Sequence, residues 1–137
     1  MSGAFTIALH ALVYLDHKKT NVSSEELADN MCTNPVSVRR VMSCLKHAGL
    51  IKTKEGSCGG YSIAYAGEDM TLRDIAAAVG AEPVPSSKHY GNIDKDCMIS
   101  SGMAKVMDGI FDDLNCLCMM RLGELSVSDI SNRIFSK

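Results

Sequence analysis

The stretch "NPVSVRRVMSCLKHAG", Asn34 to Gly49, carries a full set of helix signals. Asn34 supplies an N-cap, Pro35 fits the first helical position where no backbone N–H is needed, and Gly49 offers a C-terminal stop. Projected at about 100° per residue, Val38, Val41, Met42 and Leu45 gather in one apolar stripe, while Val36, Arg39, Arg40, Ser43 and His47 fall on the other side. Such a helix buries one face and shows the other, with two arginines in its first two turns. Just upstream, "KKTNVSSEELADNM" gives a polar turn and a capping box, Ser23 with Glu26, opening a short helix to about Asn30. Two short helices joined by a turn, the second with a basic outer face, predict a helix-turn-helix.

The flanks extend that reading. "LIKTK" and "YSIAY" are β-competent runs separated by "EGSCGG", which predicts a hairpin; a helix-turn-helix followed directly by a hairpin is a winged helix. Phe5 to Leu15 is apolar at nearly every turn and predicts a largely buried helix. "MTLRDIAAAVG" predicts another, capped by Thr71 and stopped at Gly80. Residues 81–100 hold two prolines and many turn formers and predict a long loop, which in a compact domain points to function or motion.

From about Ser101 a long helix carries Met103, Val106, Met107, Ile110, Phe111, Leu114 and Leu117 in an a/d-like stripe. It is longer than a small domain needs, which predicts a dimerisation helix. A short closing helix follows in "LSVSDISNRIF". The expected fold class is mainly α (α+β), a winged helix-turn-helix with a long C-terminal dimerisation helix. A DNA-binding domain over 1–80, a sensor loop over 81–100, and the dimerisation and closing helices over 101–137 are the expected units.

Composition narrows the function classes. An apolar fraction of 46% in 137 residues fits one globular domain, with or without an appendage, and argues against disorder. "MSGAFTIALHALVYLD" has no basic leader, and its apolar run is broken by His10 and ends at Asp16, so neither a secretory signal nor a membrane span is expected. A cytoplasmic, reducing setting follows as the expectation, and six cysteines there do not make a disulfide framework. No Cys-x-x-Cys pair occurs, and Cys116 and Cys118 would point about 200° apart on a helix, so no structural metal and no cofactor are expected. Through residue 66 seven basic residues face five acidic ones; beyond it seven face eleven. The basic lean of the first part favours an anionic partner there.

DNA contact is the chemistry these residues suit best. Ser37, Arg39 and Arg40 stand at the front of the outward helix, where base-reading donors belong, and Lys46, Lys52 and Lys54 are placed to neutralise phosphates. An ordinary solvated face used for protein contact is the alternative. A thiol oxidoreductase or metal-binding protein is a third possibility. It would need a Cys-x-x-Cys helix start or a convergent His and carboxylate set, and the glycine cluster here leads into a strand rather than a phosphate-binding helix.

The order of elements, with "SVRRVMSCLKHAGLI" (Ser37 to Ile51), "GSCGGY" (Gly56 to Tyr61) and "LRDIAAAVG" (Leu72 to Gly80), resembles the Rrf-two (Rrf2) family of bacterial winged-helix transcription regulators over about residues 5 to 135. The resemblance implies a homodimer, most simply a repressor, on a roughly palindromic double-stranded operator. The helix from Asn34, with Ser37, Arg39, Arg40 and Ser43, would lie in the major groove. The wing, with Lys54, Gly59, Gly60 and Tyr61, would reach the adjacent minor groove. Cluster-binding relatives carry three cysteines in the loop before the long helix; here residues 81–100 hold Cys97 alone, and Ser100 stands where some relatives place a histidine. The resemblance therefore implies a member without a stable iron–sulfur cluster. The wing departs as well, with Glu55 where relatives often have arginine.

Among the cysteines, Cys44 and Cys118 border apolar stripes and read as small packed hydrophobes, and Cys58 as a substituted turn residue at the wing tip. Cys32 lies just before Asn34, at the positive end of the reading helix, a setting that favours a thiolate, and Cys97 lies in the loop. A thiol switch using Cys32 and Cys97 is the expected input to DNA binding. A partner protein, a small ligand, a labile cluster, or a site built from His89 and Cys97 are the alternatives.

Overall fold

The structure, a computed structural model, describes residues 3–84 and 98–136. Among the described residues, six α-helices and one β-hairpin follow in chain order: α1 (Gly3–Lys18), α2 (Ser24–Met31), α3 (Pro35–His47), β1 (Ile51–Lys54), β2 (Gly60–Ile63), α4 (Leu72–Val79), α5 (Met98–Gly123) and α6 (Val127–Phe135), with one 3₁₀ turn at Gly67–Asp69. This is the winged helix-turn-helix that the sequence predicts, extended by a long helix.

Local chemistry fixes the helix ends. Ser23 Oγ accepts from the Glu26 amide at 3.1 Å, and Asn34 Oδ1 accepts from the Val36 amide at 2.8 Å. Each satisfies a donor the first turn leaves open, worth roughly 1 kcal/mol. Thr71 and Asp74 form a reciprocal capping box on α4, and Gly80 ends that helix in a left-handed conformation. Ser126 and Asp129 repeat the box on α6.

The core is built mostly from α1, α3 and α4. Ala8, Ala11, Leu12 and Leu15 of α1 are sealed from solvent, and the two alanines let neighbouring helices approach closely. Val38, Val41, Met42 and Leu45, the stripe read from the sequence, meet them from α3, and Ile75 and Ala76 do so from α4. With its apolar stripe spent on the core, α3 must turn its opposite side outward.

The hairpin is antiparallel, pairing Ile51 with Ile63 and Lys54 with Gly60. Only Ile51 of β1 is buried, so the strand lifts away from the core and carries Lys52 and Lys54 into solvent. Val22 adds one rung on the other edge of β2, its N–H and C=O both pairing with Tyr61, at 2.9 and 2.8 Å. That rung requires Gly60: its φ is +151°, and a Cβ there would come within 2.5 Å of the Val22 carbonyl oxygen.

Two features of the C-terminal part add to what the sequence shows. Within the described residues the long helix already runs from Met98, and Ile99 continues the apolar spacing of Met103, Val106 and Ile110. And α6 packs against α1 and the 3₁₀ turn at Gly67–Asp69. Val127 is fully buried in the common core, its amide donates to the Met70 carbonyl, and the Leu72 amide donates to the Leu125 carbonyl, both at 2.9 Å.

Between these, α5 runs 26 residues, about 39 Å at 1.5 Å per residue, without one buried residue. Its C-terminal end is held: Met119 and Leu122 pack on the core, and Arg73 Nε donates to the Met119 carbonyl at 3.0 Å. Further back, the Asn115 amide pairs with both backbone groups of Val84, at 2.7 and 2.8 Å, and clips the chain to the helix before residues 85–97. No helix among the described residues is long and apolar enough to cross a membrane.

Candidate nucleic-acid interface

The turn between α2 and α3 sets the exposure of the reading helix. Cys32 caps α2 in a left-handed conformation, φ 54° and ψ 45°, and the Thr33 amide closes the turn on the Ala28 carbonyl at 2.9 Å. Asn34 and Pro35 then start α3 immediately. The Asn34 side-chain oxygen accepts from the Val36 amide, so this residue, expected at the DNA face, also positions the helix.

At about 100° of turn per residue, the outer residues of α3 divide into three lines. Val36, Arg40, Ser43 and His47 form the centre of the exposed side, and all four are exposed. Arg39 and Lys46 lie on the flank toward the wing, and Ser37 and Cys44, both half-buried, on the opposite flank. Surface relief agrees. Lys46 borders a groove of about 500 Å³ with Ser24, Glu25, Lys54, Gly59 and Tyr61, whereas Ser43 and His47 border a separate depression against Ala77 and Ala78 of α4. The structure thus brings Lys46, Lys54, Gly59, Gly60 and Tyr61 to one groove and leaves Ser43 on another side of the helix.

Electrostatics within the groove are mixed. Arg39 turns back toward α2, with Nη1 3.6 Å from Glu25 Oε1 and 3.5 Å from Ser24 Oγ. Arg40 makes no ion pair with any described residue. The Tyr61 ring sits beside Arg39 and Glu25; burial pushes its phenol above the ordinary value, against the pull of Arg39. Lys52 and Lys54 point out along β1, with Glu55 following at the wing turn, which closes through the Gly59 amide on the Gly56 carbonyl at 3.0 Å. Gly59 and Gly60 shape this turn, and Gly59 lies so close to the Lys54 carbonyl that a side chain there would collide with it. Sequence reasoning missed Glu25, which lies 14 positions before Arg39 and carries no local signal of its role.

The cysteines are placed as follows. Cys32, Cys58 and Cys116 are exposed, Cys44 and Cys118 half-buried, and all five are free thiols. Cys32 stands between the positive end of α3 and the negative end of α2, and Glu25 and Asp29 border the same depression of about 350 Å³. The sequence weighed only α3. Cys97 and His89 lie outside the described residues. His10 is exposed and bonded to Asn30 Oδ1 at 2.7 Å. No group of three or more His, Cys, Asp or Glu among the described residues is arranged to hold a metal. With Cys97 the sole cysteine of residues 81–100, the donor set does not fit a cluster held by three loop cysteines.

On α5, Ile99, Met103, Val106, Ile110, Leu114 and Leu117 recur at intervals of three and four and are all exposed, whereas Met107 and Phe111 are partly covered within the chain. Nothing within the described residues packs on the first set.

Comparison with known proteins places this geometry. A model of the Rrf2 family, described as "Iron-dependent Transcriptional regulator", matches residues 1–133. YwnA of Bacillus subtilis (strain 168), whose name describes an HTH-type transcriptional regulator, is 28% identical over 137 residues, covering 98% of this chain and 99% of its own. Among solved structures, one from Lactobacillus plantarum described as a transcriptional regulator superposes with a TM-score of 0.83 at 24% identity, covering 99% of this chain and 93% of that one. CymR, described as the global cysteine regulator of B. subtilis, superposes with a TM-score of 0.64 at 18% identity, covering 97% and 96%. These two likenesses establish the fold.

Proposed function

Since the chain belongs to the Rrf2 family of DNA-binding transcriptional regulators and is not an enzyme, we propose that it acts as a homodimeric repressor on a roughly palindromic operator. The observation that carries this reading is the outward side of α3, with Arg40 unpaired among the described residues, Lys46 and Lys54 gathered at the groove it shares with the wing, and Arg39 held beside that groove by Glu25. A helix of this kind enters the major groove by its N-terminal turns while lysines on the wing track the backbone. Residues 1–80 together with α6 serve as the DNA-binding unit, and α5 supplies the seam to a second copy. Support for the seam comes from its six exposed apolar residues at heptad-like spacing.

For the signal, we favour oxidation of Cys32 with Cys97. Cys32 is exposed in the turn that sets α3, so a bond there would tilt the reading helix. Two thiols give up two electrons and two protons to peroxide, which leaves as water, and one disulfide forms. The CymR likeness, with its printed role in cysteine regulation, is compatible with a thiol input. A partner protein docking on the acidic C-terminal half is the second reading, favoured by its eleven acidic against seven basic residues.

Fluorescence anisotropy of the purified dimer on its own promoter region, titrated over salt, tests the first part. The expected result is nanomolar-range, salt-sensitive binding that needs a two-fold repeat; salt-independent or absent binding overturns it. Cys32→Ser and Cys97→Ser test the signal: peroxide releases DNA from the parent protein and from neither variant. If both variants still release DNA, the switch lies elsewhere.

A further inference from the structure

The centre of the exposed face of α3 is occupied by an apolar residue. Val36 is 55% exposed at the second helical position, directly over the Asn34 cap. A β-branched residue gains nothing for the helix there, and the core stripe lies on the far side. Two of the polar residues nearest to it are committed. The Asn34 oxygen is taken by the Val36 amide, and Arg39 is turned toward Glu25 and Ser24. What remains on the centre line at the front of the helix is Val36, with Arg40 one step round and one turn on, while Ser37 lies half-buried on the flank.

We infer that Val36 is a specificity-determining residue that packs on the 5-methyl group of a thymine, beside a guanine read by Arg40. This rests on the proposed DNA-binding function and deepens it. The N-terminal residues of a groove-inserted helix are those that reach base edges, and the thymine methyl is the one apolar group on the major-groove edge. Cytosine, at the same place, presents bare carbon. An isopropyl group at this position therefore distinguishes thymine from cytosine by burying a methyl, while the Arg40 fork suits the paired acceptors of guanine. The four centre-line residues then read as one apolar contact, one guanidinium and two small or neutral polar groups. Arg39 and Lys46 serve the phosphates on the wing side.

The test does not depend on a defined operator. Duplexes are selected by the full-length protein from a randomised DNA library, and each thymine of the best duplex is replaced singly by deoxyuridine, which removes only the methyl. The inference expects one thymine per half-site whose replacement weakens parent binding about three- to fivefold. That penalty is lost in Val36→Ala and kept in Val36→Ile, which retains a branched contact. Val36 is exposed, so both variants are expected to fold, and circular dichroism checks this. Binding with no such thymine, or a penalty unchanged in Val36→Ala, overturns the inference and leaves the DNA-binding reading standing. Failure of any duplex to be enriched, with no salt-sensitive binding, overturns both.

Discussion

Glu25 of α2 stands 3.6 Å from Arg39 of α3, across the turn of the helix-turn-helix and at the edge of the groove beneath the wing. Their side chains are 72% and 48% exposed, so the pair adds little to stability, on the order of 0–1 kcal/mol. Its weight falls on the bound state. A carboxylate at that edge repels phosphate and holds back the guanidinium that would meet it. Glu25→Gln is therefore expected to tighten DNA binding roughly three- to tenfold near 0.1 M salt and to steepen the salt dependence by about one unit of log slope. Thermal stability should stay nearly unchanged. Anisotropy titrations at several salt concentrations measure both quantities; unchanged affinity would place Arg39 away from the backbone.

The seam on α5 makes a second expectation. Ile110 lies mid-helix, 45% exposed, with no buried neighbour on its own helix. Ile110→Asp puts a charge where the proposed interface would bury it, costing several kcal/mol of association while leaving the monomer's core untouched. Sedimentation should show a monomer with near-native far-UV dichroism, and operator affinity should fall by two orders of magnitude or more as bivalent binding is lost.

Val127 provides a test of how the C-terminal end joins the rest. Its side chain is sealed in the core shared with α1 and α4. Val127→Ala should cost roughly 2–3 kcal/mol from lost burial and the cavity left behind. The loss should appear in one cooperative denaturant transition for the whole protein. A separate early transition would instead mean that α6 folds apart from the helices it touches.

Acid should loosen the same helix. Asp129 accepts from the Ser126 amide at 2.8 Å, and hydrogen bonds from that backbone and side chain hold its carboxyl below the usual 3.8. A carboxyl depressed in the folded state stabilises it above its unfolded value, and that contribution fades as pH falls through the folded value. The cap should therefore weaken only below about pH 4. Hydrogen exchange of α6 amides would follow it; in Asp129→Asn the acid-dependent step should vanish.

Much of the fold was legible because helix ends are written locally. Asn34–Pro35, Ser23 with Glu26, and Thr71 with Gly80 each announce a boundary within a few residues, and all three form caps. The stripe of Val38, Val41, Met42 and Leu45 was equally plain, since 3.6-residue spacing survives any tertiary context. What escaped was non-local. The Val22–Tyr61 rung is a single residue long and has no alternation to reveal it. The packing of α6 on the core rests on Leu125, Val127 and Ile130, a segment too short to announce its partner. At the interface, sequence could name the cations on α3 and β1, but only folding reveals that Glu25 restrains Arg39 and that Ser43 and Lys46 diverge.

The hold of Arg73 on Met119 makes α5 a lever clamped at one end. Its clamped end is seated in the body that carries the reading helix, and its far end begins right after residues 85–97. Over a length of about 39 Å, a tilt of about 5° at the clamp moves the far tip by roughly 3 Å. The same relation runs backward. A small displacement forced at the tip becomes a rotation of the whole DNA-binding body, at little cost in local strain. Two such levers joined along their length would convert a change near Met98 into a change in the distance between two reading helices, the quantity on which a two-fold operator depends.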